Sequence, residues 1–203
     1  MNKSLERISI NKKLGHPLVT IREHLIRYTL ALQNIKDKDV LDIACGTGYG
    51  TYLMSYWAKS ISGYDKHDSI IKVIKREFQM KAPSFLDVRD LEEKNVDLSN
   101  NLTQDFDVIT CFETLEHLKN PENLVISIKR YLKPKGVFYF STPNKKNLKD
   151  KNIWHKNAFN KKKLVKLMNQ CFKNIESIEF WGQDQWGLSK DFNKPYIIGR
   201  VRI

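Results

Sequence analysis

The sequence predicts an α/β fold: a mainly parallel sheet of seven strands, antiparallel at its terminal strand, with helices on both faces. Three observations predict it. Apolar, β-branched segments alternate with helix-length amphipathic ones, the pattern of βαβ units. The first of these strands runs directly into a loop of closely spaced glycines, Val40–Gly50 (VLDIACGTGYG). The last two strand-like segments have no helix between them, so they are expected to pair antiparallel as an edge hairpin.

The elements follow in order. Residues 18–34 (LVTIREHLIRYTLALQN) carry helical periodicity ahead of a strand at 39–44. A helix follows the glycine loop over about 49–58, then a strand, Ser60–Tyr64, ending at Asp65. A helix over 69–80 leads to a short strand, Pro83–Leu86, that ends at Asp87. A polar segment rich in Asn and Asp precedes the apolar strand Asp107–Phe112. The helix 121–132 is expected to stop at Lys133-Pro134-Lys135-Gly136, where Pro and Gly break it, before a strand at Gly136–Ser141. Residues 160–171 read as an amphipathic helix, and 174–181 and 195–203 as the closing strands. No linker, repeat or low-complexity tract divides the chain. It reads as one domain over 1–203, with a helical segment at 1–38, a cofactor-binding half at 39–142 and a substrate side at 143–203.

Composition bounds the function. At 203 residues, 41% hydrophobic and 29% charged, the chain can bury a full core. No run reaches the length of a membrane span, and MNKSLERISINKK lacks the apolar centre of a signal peptide. Cys45, Cys111 and Cys171, odd in number and widely spaced, read as reduced and buried, which points to a cytoplasmic protein. A net charge of +12 raises the question of nucleic acid. Yet of 35 basic residues 27 are Lys and 8 are Arg, whereas surfaces that read bases or fork phosphates are more often Arg-rich. Between Lys145 and Lys173 stand ten Lys and one acid, Asp150, either a solvated face or an anion-facing rim.

The glycine loop narrows the chemistry. Glycines let the backbone turn sharply and pass close to a ligand. A dinucleotide fingerprint would read G-x-G-x-x-G, but Thr51 stands where its third glycine would be, and Asp42 precedes the first glycine by four residues. The pattern D-x-A-C-G-x-G-x-G resembles the first motif of class I S-adenosylmethionine-dependent methyltransferases. The resemblance implies a Rossmann-like fold, S-adenosylmethionine as cofactor, and contacts from Asp42, Ala44, Gly46, Gly48 and Tyr49. It also implies that Asp65, followed by Lys66, binds both ribose hydroxyls, for which a carboxylate has the acceptors. Asp87 in FLDVRDL matches the acid beside the adenine amino group, with Val88 offering its amide. Phe112 would pack against the cofactor. Arg27 matches an arginine that in ubiquinone-pathway O-methyltransferases meets the cofactor carboxylate, which a guanidinium can fork.

Glu113-Thr-Leu-Glu116-His117 is the second informative motif. On a helical turn these three ligands would converge, forming a divalent-cation site for Mg²⁺ or Mn²⁺. A similar E-x-x-E-H occurs in ubiquinone-pathway O-methyltransferases and in RNA 3′-end 2′-O-methyltransferases, where a later histidine completes the site. His155 holds a comparable place after Ser141-Thr142-Pro143-Asn144. His117 is thus expected near the reacting centre as ligand or general base, and His155 in the same pocket.

E-H-x-x-R-Y before the glycine loop, S-T-P-N, H-x-x-x-F and Gly182-Gln183 also resemble bacterial methyltransferases of surface-polysaccharide and nucleotide-sugar metabolism. The resemblance covers about residues 20–183. It implies methyl transfer to a hydroxyl of a small, sugar-containing or phosphorylated acceptor. RNA 2′-O-methylation and N-methylation of a small phosphorylated amine are the alternatives. Residues 144–160, a long polar connection with an Ile153-Trp154 island, are expected to form a lid that carries His155.

Overall fold

The computed structural model describes residues 18–100, 102–103, 105–147 and 152–203. Helix α1 (Leu18–Leu32) leads into β1 (Asp39–Ile43), α2 (Tyr49–Met54), β2 (Ser60–Asp65), α3 (Asp68–Glu77) and β3 (Ser84–Val88). Then come β4 (Phe106–Phe112), α4 (Pro121–Tyr131), β5 (Leu132–Pro143), α5 (Lys161–Cys171), β6 (Ser177–Asp184), β7 (Gly187–Ser189) and β8 (Tyr196–Arg202).

Among the described residues eight strands form one sheet in the order β3-β2-β1-β4-β5-β8-β6-β7. The first five are mutually parallel, and β8 runs antiparallel to both β5 and β6. This is the Rossmann-like, mainly parallel fold expected, with two corrections. The sheet has one strand more, the short β7, paired with β6 through Gly182–Asp184. And β8 is not an edge strand: it inserts between β5 and β6, with Val137–Pro143 opposite Tyr196–Arg202. Burial explains the insertion. Ile197, Ile198 and Val201 are all buried although they point to both faces, the mark of an interior strand.

All five residues of β1 are buried, as a central parallel strand requires. Side chains of β5 alternate between two cores. Phe138 and Phe140 join Leu124, Val125, Ile128, Leu164 and Met168 on one face. Val137 and Tyr139 join Tyr28, Ala31, Tyr49 and Met54 on the other. Cys45, Cys111 and Cys171 are buried and free.

Helix α2 is shorter than expected and ends in a turn at Ser55–Trp57. The Lys133–Gly136 turn is absorbed into β5, whose register against β4 shifts between Phe106 and Val108. No helix among the described residues is long and apolar enough to cross a membrane.

Candidate active site

Because β1 to β4 are parallel, the loops after them gather at one edge, where open sheets bind ligands at the reversal of strand order. The order reverses at β1 and β4.

The glycine loop is built from backbone conformation. Ala44, Gly46 and Gly48 take left-handed φ values of 55°, 53° and 81°. A Cβ on Gly46 would meet no atom within 4 Å, so the loop faces open space there. Asp42 sits under the loop. Its carboxylate accepts hydrogen bonds from Thr51 Oγ1 at 2.6 Å and Thr110 Oγ1 at 2.7 Å, with Tyr28 Oη at 3.4 Å. Burial raises its pKa to about 6 despite these three hydroxyls. The structure therefore makes Asp42 a brace for the loop, fully enclosed by protein, rather than the direct ligand contact expected. Tyr28 completes the brace: its ring lies where a Cβ of Gly50 would be, 2.0 Å from it, and packs edge-on to Tyr49 and Phe112.

Asp65, buried at the end of β2, accepts from the Gly46 amide at 3.2 Å and the His67 amide at 3.1 Å. Its carboxylate thus lies directly beside the glycine loop, as a ribose ligand would. Lys66 next to it is exposed. At the end of β3, Asp87 pairs with the Arg89 guanidinium and accepts from the Val88 amide at 2.8 Å. Both groups expected to meet adenine are engaged within the chain, an arrangement the sequence reading did not include. Arg89 also covers the Tyr64 ring at 5.0 Å. An arginine two residues beyond an acid in extended backbone shares its face, and that spacing was the available signal.

Arg27 is fully buried on α1. Its Nε donates to Gln183 Oε1 on β6 at 2.7 Å, and its Cζ lies 4.4 Å over the Tyr196 ring. Nη1 lies 3.5 Å from Glu113 Oε1, yet among the described residues neither Nη1 nor Nη2 has a hydrogen-bond partner. A buried guanidinium with two open donors fits an incoming carboxylate.

Past β4 the structure corrects the metal assignment. Glu113 has a left-handed φ of 48° and precedes the short 3₁₀ turn Leu115–His117, so no helical turn runs through the motif. Glu113 Oε1 accepts from Ser141 Oγ at 2.7 Å and faces Arg27. The groups that do converge are Glu116, His117 and His155, whose ligand atoms lie within 4.8 Å of one another. His117 and His155 rings meet edge-on with centroids 4.9 Å apart.

His155 reaches this place on a loop that is tied down. The Lys156 and Asn157 amides donate to the Glu116 carbonyl at 2.8 and 2.9 Å, and the Asn157 side chain to the Leu118 carbonyl at 2.6 Å. Among residues 144–160, expected to form a lid, 148–151 lie outside the described residues. Ile153 and the Trp154 side chain are exposed.

Gln183, Tyr196, Arg89 and Ser141 were not anticipated as site residues. Ser141 and Gln183 stand in motifs that the sequence does single out, S-T-P-N and Gly182-Gln183, but nothing in either points to Glu113 or Arg27.

A parallel sheet with this strand reversal, a glycine loop and strand-end acids defines a Rossmann-like fold that binds S-adenosylmethionine. The chain belongs to the methyltransferase-domain family, whose model matches residues 20–184. It is 28% identical over 129 residues to a ubiquinone biosynthesis O-methyltransferase of Coxiella burnetii, covering 64% of this chain and 53% of that protein. The chain thus spans about half the length of the curated relatives it matches. An S-adenosylmethionine-dependent methyltransferase of Clostridium acetobutylicum superposes with a TM-score of 0.67 at 15% identity, over 95% of this chain and 94% of that one. The N-methyltransferase NodS of Bradyrhizobium japonicum, in complex with S-adenosylhomocysteine, gives 0.66 at 16% identity, over 94% and 90%. These structural likenesses are likenesses of fold.

Proposed function

We propose that this chain transfers a methyl group from S-adenosylmethionine to a hydroxyl of a small acceptor. The observation that carries the reading is the convergence of Glu116, His117 and His155 at the carboxyl end of β4, beside the glycine loop's edge of the sheet. The residues at that edge suit the cofactor. Gly46 faces open space, Asp65 lies beside it for the ribose, and buried Arg27 offers two open donors for the amino-acid carboxylate.

The cofactor supplies an electrophilic methyl on sulfonium. The protein's task is to hold the acceptor oxygen in line and take its proton, and alignment supplies much of the acceleration. His117 is the base. Its Nδ1 faces the Trp154 carbonyl at 3.2 Å, and a carbonyl can only accept, so Nδ1 carries the proton and Nε2 the lone pair. A divalent cation held by Glu116, His155 and that same His117 Nε2 would take the base's place, lowering the pKa of a bound hydroxyl.

A second feature, lysines gathered just past β5, supports a phosphorylated or otherwise anionic acceptor. A pocket of about 200 Å³ beside Asn144 and Asn160 is lined by Lys146, Lys161 and Lys162. The test is S-adenosylhomocysteine release with a panel of sugar phosphates, nucleotide sugars, amines and short RNAs. Turnover on hydroxylated small molecules is expected. Turnover confined to amines, or to RNA with steep salt dependence, would overturn this acceptor assignment.

A further inference from the structure

We propose that Gln183 is a positioning residue for the cofactor: it turns Arg27 so that the Nη1–Nη2 edge alone is presented to the cofactor's carboxylate. The inference rests on the cofactor placement above. Gln183 lies on β6, 156 positions from Arg27 in sequence, and both side chains are fully buried. Its amide makes two bonds. Oε1 accepts from Arg27 Nε at 2.7 Å, and Nε2 donates to the Glu23 carbonyl, one helical turn before Arg27, at 2.6 Å. One neutral side chain thus clamps two successive turns of α1 to the sheet.

An arginine can fork a carboxylate side-on, through Nε and one Nη, or end-on, through both Nη atoms. With Nε occupied by Gln183, only the end-on fork remains. The Tyr196 ring covers the guanidinium, its centroid 4.4 Å from Cζ, and so helps to hold the group in place. The two Nη atoms are the ones left without hydrogen-bond partners. Neutrality matters too: an amide orients the guanidinium without cancelling its charge, which Glu113 Oε1 at 3.5 Å already offsets in part.

The experiment compares two ligands by titration calorimetry on the full chain. S-adenosylhomocysteine has the amino-acid carboxylate; 5′-methylthioadenosine keeps adenine and ribose and lacks it. Gln183→Met is expected to weaken S-adenosylhomocysteine about tenfold or more, the worth of one buried charge-assisted bond, and 5′-methylthioadenosine by less than about threefold. In an Arg27→Met background the same change should cost nothing further, because Gln183 acts through Arg27. Equal losses for the two ligands, no loss, or a further tenfold loss without Arg27 would overturn the proposal. Should the methionine variant not fold, Gln183→Glu carries the same comparison. It keeps an oxygen against Nε but adds a charge, so it too must cost S-adenosylhomocysteine more. Wild-type protein that binds neither ligand would mark failure of the cofactor placement itself. Wild-type protein that binds both equally tightly would mark failure of the carboxylate role.

Discussion

The imidazole of His117 donates from Nδ1 to the backbone carbonyl of Trp154, 3.2 Å away. That contact spans 37 residues and links the turn after β4 to the loop that carries His155. It fixes the tautomer, and a base with the wrong tautomer cannot take a proton from the acceptor. His117→Ala is expected to lower kcat by about a hundredfold or more while S-adenosylhomocysteine affinity stays within about twofold. Stopped assays at saturating cofactor, paired with calorimetry, check both halves. A variant with near wild-type kcat would remove His117 from the chemistry.

Trp154 contributes its carbonyl to His117 and leaves its ring about half exposed, at 51%. An indole held at the surface beside the reacting centre has apolar area to place over an acceptor. Trp154→Ala keeps the carbonyl, so the tautomer survives and only the cover is lost. The acceptor KM should rise about tenfold, with cofactor affinity unchanged. Matching losses for acceptor and cofactor would show that the loop is a structural brace.

The cation site makes a sharper prediction, because sequence and structure disagree about its members. E-x-x-E-H invites Glu113, but its carboxylate is turned to Ser141 at 2.7 Å and Arg27 at 3.5 Å. Glu116→Gln or His155→Ala should weaken Mn²⁺ binding about tenfold or more, and Glu113→Gln should leave it nearly unchanged. Electron paramagnetic resonance of free Mn²⁺ reads the result directly. If Glu113→Gln costs as much as Glu116→Gln, the cation draws Glu113 away from Arg27.

The cofactor half was the more legible part, for a physical reason. Gly46, Asp65 and Asp87 each lie at or just past the carboxyl end of a strand, and parallel strands bring those ends together whatever the rest of the chain does. What was hidden depends on pairings between distant segments or on single backbone angles. Gln183 meets Arg27 only because α1 lies against the face of the sheet to which Gln183 points, and no local pattern records that. Glu113 leaves the metal group because of one left-handed φ, where its sequence spacing suggested a helix. The interior place of β8 was written in its two-sided apolar run, but the absence of a helix before it suggested an edge hairpin instead.

The brace under the glycine loop should be visible in stability. Asp42 is fully buried, and burial lifts its pKa from 3.8 to about 6, against the lowering effect of Thr51, Thr110 and Tyr28. A folded value above the unfolded one means that folding favours the neutral carboxyl. This contribution is fully present below about pH 4 and is lost as pH rises through about 6. A shift of this size corresponds to roughly 3 kcal/mol, at 1.36 kcal/mol per unit. Asp42→Asn has the same shape and no charge, so it should gain about that much relative to wild type between pH 3 and pH 7. Urea melts of both proteins at the two pH values give the difference of differences, in which every other titrating group cancels. A constant offset would mean that folding leaves the Asp42 pKa unshifted, and a wild type that gains on Asp42→Asn as pH rises would mean that Asp42 is already ionised in the fold at low pH. In that last case Asp42 would hold the loop as an anion, and the three hydroxyls, not burial, would govern its charge.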